Sequence, residues 1–209
     1  MTTLRNLAPE RVRQILDGGG LGIDLRPTDD YLARHVPGTI PLLYEAGPGL
    51  GGRARDLLPL DSRLVLLDDG VFPLDKAADS FRGKGFEVLG YLAGGVDAWP
   101  ETPVSTPQTP LAEAPVELVL IDVADPGTLI PAERSALARI PADCLWERAG
   151  ELHPTWAIGV LAGWGVRAAA AVGILEKLGF RRLTFVRTRR PGEKPPQAEP
   201  VVFRAGGPP

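Results

Sequence analysis

Apolar positions in the first hundred residues fall into short continuous runs separated by amphipathic stretches. Leu21-Gly22-Ile23-Asp24-Leu25, Leu64-Val65-Leu66-Leu67 and Val88-Leu89-Gly90-Tyr91-Leu92 show almost no polar alternation, which is how strands buried on both faces read. Between them, Ala8 to Leu16 predicts a short helix with Pro9 in its first turn. Arg26 to Asp30 reads as a polar turn, Tyr31 to Arg34 as a helical turn, and His35-Val36-Pro37-Gly38-Thr39-Ile40 as the approach to a strand edge. Leu74 to Lys84 predicts a helix closed by Gly85. Strands alternating with helices predict an α/β unit with a parallel sheet flanked by helices.

The second half repeats this order. Glu117 to Val123 matches the first aspartate-ended strand, Ile140-Pro141 matches Val36-Pro37, and Trp156 to Leu161 matches the strand ending at Leu67. Ala168 to Leu178 matches the helix that begins at Leu74, and Gly179-Phe180 matches Gly85-Phe86. The interval from Asp68 to Gly85 equals that from Ala162 to Gly179. Shared order and shared spacing predict a duplicated unit. Proline density sets the boundaries: a first domain at 1–102, a linker at 103–115, a second domain at 116–190, and a tail at 191–209 lying on the surface or disordered.

Composition narrows the functional classes. The 209 residues are 44% hydrophobic and 23% charged, with a formal net charge of −3. That balance gives no basic footprint for nucleic acid. From Trp156 to Leu175 only Arg167 is charged, but an arginine mid-span costs roughly 2.5–3.5 kcal/mol on insertion. Gly163 and Gly165 also divide the run into a strand-length and a helix-length half. The expectation is a soluble chain without a membrane partner. One cysteine, Cys144, builds no disulfide framework, and the N-terminus carries no signal-peptide core, so a cytoplasmic setting is expected.

The motifs resemble the rhodanese family of sulfurtransferases. Gly22-Ile23-Asp24-Leu25-Arg26, His35 to Ile40, Gly85-Phe86 and Leu92-Ala93-Gly94-Gly95-Val96-Asp97-Ala98-Trp99 carry the likeness in the first half. The second half keeps Ile121-Asp122, Ile140-Pro141, Gly165-Val166-Arg167 and Leu178-Gly179-Phe180, but lacks the closing Gly-Gly…Trp motif. The resemblance implies two rhodanese-like units in tandem. It also implies a loop after the central strand that begins with cysteine, where backbone N–H groups and a helix N-terminus stabilise a thiolate. In this chain that slot holds Asp68 in the first unit and Ala162 in the second, and neither can carry sulfur. The loop is one residue shorter than in the dual-specificity phosphatases of the same fold.

The candidates are therefore few. The degenerate positions are Asp68 and Ala162. Gly163, Trp164, Gly165, Val166 and Arg167 form a glycine-rich turn with one positive charge, able to hold a small oxyanion. Cys144 is the alternative nucleophile, although Asp143 beside it raises its pKa and the residues around it suit a small buried hydrophobe. His35 is expected to order a turn, and Asp24 and Asp122 to form a repeated turn or cap. His153 has no second histidine near it, and Asp68-Asp69 make a weak ligand pair, so no metal and no cofactor are expected. The Arg-rich run from Arg181 to Arg190 reads as a solvated edge. The resemblance and the missing cysteines together imply a catalytically inactive binding or regulatory module in sulfur metabolism, with a small oxyanion or a protein as partner. The alternative is a thiosulfate sulfurtransferase or sulfur carrier using Cys144. Oligomeric state is not written in the sequence.

Overall fold

The computed structural model describes residues 4–44, 49–67, 70–124, 138–162 and 166–188. The predicted strands and helices form, with small shifts at their ends. The first unit comprises β1 (Asn6–Leu7), α1 (Pro9–Asp17), β2 (Leu21–Asp24), α2 (Thr28–Ala33), β3 (Ile40–Pro41), α3 (Gly49–Leu57), β4 (Arg63–Leu67), α4 (Leu74–Arg82) and β5 (Glu87–Leu92). The second comprises β6 (Gln108–Pro110), β7 (Val119–Asp122), β8 (Ala138–Arg139), α5 (Leu145–Arg148), β9 (Ile158–Leu161), α6 (Val166–Lys177) and β10 (Leu183–Arg187).

Each unit is built on a five-stranded sheet, ordered β1-β5-β4-β2-β3 in the first and β6-β10-β9-β7-β8 in the second. Every strand pair within them is parallel. The two orders are the same order, and the register agrees as well. Asp24 lies opposite Leu67, and Asp122 opposite Leu161. Leu42 N–H donates to the Asp24 carbonyl at 2.8 Å, and Ile140 N–H to the Asp122 carbonyl at 3.0 Å. These bonds correct one sequence match: Ile140 is the counterpart of Leu42, not of Val36. The Val-Pro and Ile-Pro dipeptides are both local turn signals, and strand pairing, which the dipeptides do not encode, sets the true alignment.

Several stretches depart from the pattern-based expectation, two of them in ways that matter for packing. Within the proline-rich segment 103–115, Gln108–Pro110 is an edge strand of the second sheet, pairing Gln108 with Phe185. A three-residue edge strand tolerates proline and shows no alternation, so periodicity cannot find it. Val104 exchanges backbone hydrogen bonds with His35 at 2.9 Å each way, so the segment is also tied to the first unit. The second departure is α3, GLGGRARDL, whose glycines argue against a helix. There Gly51 is required by contact: a Cβ would sit 2.2 Å from the Ser80 carbonyl oxygen on α4.

Helix α6 holds the two units together. Ala168 to Leu175 are all buried, as expected of a helix that is apolar around its circumference. One side lies on β9 and β10, and another on β3 and α2 of the first unit. A single hydrophobic cluster consequently runs from Ile23, Leu32 and Ile40 through Ala169, Val172 and Ile174 to Phe185. Polar contacts fasten the far end of the helix. Glu176 Oε2 accepts the Gly38 N–H at 2.6 Å and lies 3.2 Å from His35 Nε2. Lys177 Nζ donates to the carbonyls of Leu16 (2.8 Å) and Gly20 (3.0 Å), which finishes the C-terminal end of α1. Burial lowers the Lys177 pKa, with Asp17 opposing. Trp146 Nε1 donates to the Leu57 carbonyl at 2.7 Å, and Arg187 pairs with Asp29.

Candidate functional site

Parallel strands deliver their C-terminal ends to one edge of the sheet, and loops after β2, β4 and β5 converge there. The loop after β2 is fixed first. Asp24 is fully buried, and its carboxylate accepts the Arg26 backbone N–H at 3.0 Å and the Arg26 guanidinium at 2.7 Å from Nη2. The same Nη2 donates to the Arg34 carbonyl at 2.8 Å, which holds the end of α2 in place. In the second unit Asp122 accepts the Ala124 N–H at 2.9 Å and the Arg139 Nη2 at 2.7 Å. Both carboxylates are occupied in making the turn.

His35 does more than order its own turn. It is fully buried, stacks on Tyr31 at 4.0 Å between ring centroids, and places Nδ1 2.8 Å from the Tyr31 carbonyl. A carbonyl only accepts, so Nδ1 carries a proton and Nε2 is left facing Glu176 across the interface. Tyr31 donates its hydroxyl to the Thr39 carbonyl at 2.6 Å. Its pKa is pushed well above the usual value, by burial first and then by the Glu176 and Asp24 carboxylates, so the hydroxyl keeps its proton.

At the strand ends of the first unit the loops enclose a cleft of about 840 Å³. Buried Leu92 and Val96 lie at its floor, Phe72 and Tyr91 at its sides, and Arg34, Lys76 and Asp97 at its rim. Sequence reasoning did not select these rim residues. Asp97 lies inside the Gly94–Trp99 motif and Arg34 adjoins His35, but nothing in the linear order signals that they meet. Arg34 and Asp97, 63 positions apart, form an ion pair.

The sequence-selected positions are distributed as follows. Asp68, Asp69, Gly163, Trp164 and Gly165 lie outside the described residues. Ala162 follows β9 directly, is 2% exposed, and packs its methyl group into the main core. Val166 and Arg167 are half-buried in the first turn of α6. Cys144 ends a short 3-10 helix, Ala142–Cys144, leading into α5. It is half-buried against the core, and the cleft lining does not include it. Burial pushes its thiol pKa up, Asp143 adds to this, and Arg148 opposes it. His153 is exposed, with Nδ1 2.9 Å from Thr155 Oγ1. No helix among the described residues is long and apolar enough to cross a membrane; the apolar run from Trp156 to Leu175 is divided between β9 and α6.

Two parallel five-stranded sheets of one strand order, each flanked by helices, have the architecture of two rhodanese-like units. Residues 8–102 match the family model of the rhodanese-like domain, so the first unit is a rhodanese-like domain. Solved structures show a distant likeness. The 3-mercaptopyruvate sulfotransferase SseA of Escherichia coli is 16% identical over 90% of this chain and 99% of its own, with a TM-score of 0.42. A thiosulfate sulfurtransferase of Pseudomonas aeruginosa is 18% identical over 88% of this chain and 41% of its own, with a TM-score of 0.41. The Alr3790 protein of Anabaena sp. is 22% identical over 47% of this chain and 81% of its own, with a TM-score of 0.41. No curated protein matches the chain.

Proposed function

We propose that this chain is a non-catalytic member of its family, two duplicated units in which ligand binding has outlived sulfur transfer. The observation that carries this reading is Ala162. At the strand end where the resemblance calls for a thiolate, the chain has a methyl group turned into the core. The first unit has a carboxylate at the matching sequence position, Asp68, which cannot accept a sulfane sulfur. The identical strand orders and matching aspartate registers support descent of both units from one. The cleft of the first unit supports binding as its remaining role, since its volume is in the range of small-molecule sites. A single thiol is in keeping with a cytoplasmic setting, and the rhodanese-like match of the first unit with a role in sulfur handling.

The test is thiosulfate:cyanide sulfur transfer by the full chain and by Cys144→Ser. The expected result is thiocyanate formation at the buffer rate from both proteins. Turnover that vanishes in Cys144→Ser would replace this reading with an unconventional sulfur site at Cys144. Turnover that survives the substitution would refute the reading outright.

A further inference from the structure

The cleft of the first unit carries charges of both signs on its rim, above an apolar floor. Arg34 and Asp97, both in its lining, pair with side chains 52% and 83% exposed. Lys76 is exposed, lines the same cleft, and has no partner among the described residues. Asp75 is partly engaged already, accepting the Leu4 N–H at 3.3 Å. Below the rim, Leu4, Leu92 and Val96 are buried and Phe72 is half-buried. The Arg26 bond to the Arg34 carbonyl holds the backbone that presents the Arg34 guanidinium.

An exposed ion pair of this kind contributes little to stability, so a ligand opens it cheaply. What the opened pair accepts depends on charge balance. An anion that takes Arg34 strips Asp97 of its partner, and a cation that takes Asp97 strips Arg34. A zwitterion does neither: its carboxylate meets Arg34 and Lys76 while its ammonium meets Asp97, and one ion pair becomes two. The apolar floor then receives a side chain rather than a second charged group. We propose that this cleft binds a free α-amino acid, a zwitterion with an apolar side chain. The inference rests on the binding-module reading above and gives that module a ligand class.

Isothermal titration of the full chain with L-leucine and L-phenylalanine tests it, against N-acetyl-L-leucine, L-leucinamide and thiosulfate. The free amino acids are expected to saturate one site. Removing either ligand charge, or introducing Arg34→Gln or Asp97→Asn, is expected to weaken binding about tenfold, the scale of one charge-assisted contact. Both substitutions are at exposed positions, and an unchanged melting curve confirms that each variant is folded. N-acetyl-leucine or thiosulfate binding as tightly as leucine would overturn the proposal, because the cleft would then be an anion site. No binding by either amino acid, or binding untouched by both variants, would overturn it too. Thiocyanate formation reports separately on the binding-module reading, so the two can fail independently.

Discussion

At Asp24 and Asp122 one structural task is done by two different arginines. Each carboxylate closes a turn onto the N–H two residues on, but its guanidinium comes from Arg26 in one unit and from Arg139, 17 positions away, in the other. The sequence discloses the carboxylates as equivalent because they end matching apolar runs; it conceals the arginines because one reaches in from a neighbouring strand. Cys144 shows the same division. Its chemical setting, aspartate before and leucine after, is legible in the sequence, whereas its absence from the cleft is a product of topology. Thiolate is the reactive form, and burial raises the thiol pKa, so at any given pH the reactive fraction is smaller than in a free cysteine. Alkylation by iodoacetamide should therefore be slower than for a small-peptide cysteine at neutral pH. Its half-maximal rate should move above about pH 8.5, the ordinary thiol value. A rate profile centred below that value would mean a stabilised thiolate and would reopen Cys144 as a sulfur site.

Among the elements, α6 is where the sequence was most informative and most incomplete. Its all-round apolar character predicts a buried helix, and a buried helix it is. Burial against its own sheet would account for only one side, and the partner for the other side is β3, far away in the chain. Gly173 marks the contact. A Cβ there would lie 2.4 Å from the Thr39 carbonyl oxygen and 2.9 Å from the Ile40 Cα. On an exposed helix Gly→Ala stabilises by about 1 kcal/mol. Here the overlap with backbone should outweigh that gain, and Gly173→Ala should destabilise by about 1–3 kcal/mol. Urea denaturation gives the sign, and a more stable variant would refute the close approach. The short edge strands β1 and β6 escaped sequence analysis for a different reason. Two or three residues cannot express a period, and what defines them is the neighbouring strand.

On the scale of the whole molecule, the fold class was legible and the coupling between halves was not. Alternating strands and helices, read twice, lead directly to two parallel sheets. Nothing in a single sequence says that the two sheets share one core, because that depends on the packing of α6 between them. The shared cluster makes a prediction about cooperativity. Trp99 reports on the first unit, and Trp146 and Trp156 on the second. Unfolding in urea should show one transition, with fluorescence and far-ultraviolet circular dichroism superimposed. Two separated transitions would mean that the units are stable apart and that the cluster spanning them contributes little.

The bond from Lys177 to the end of α1 also bears on how the protein is made. Strands and helices of the first unit are complete once Leu92 has been synthesised, but the carbonyls of Leu16 and Gly20 and the N–H of Gly38 wait for Glu176 and Lys177. About 85 residues separate these points in the chain, and at 5–20 residues per second that is roughly 4–17 s of translation. Throughout that interval the face of β3 that α6 will cover is open on the nascent chain. The surface that later joins the halves is thus, for some seconds, a surface on which a chaperone can act.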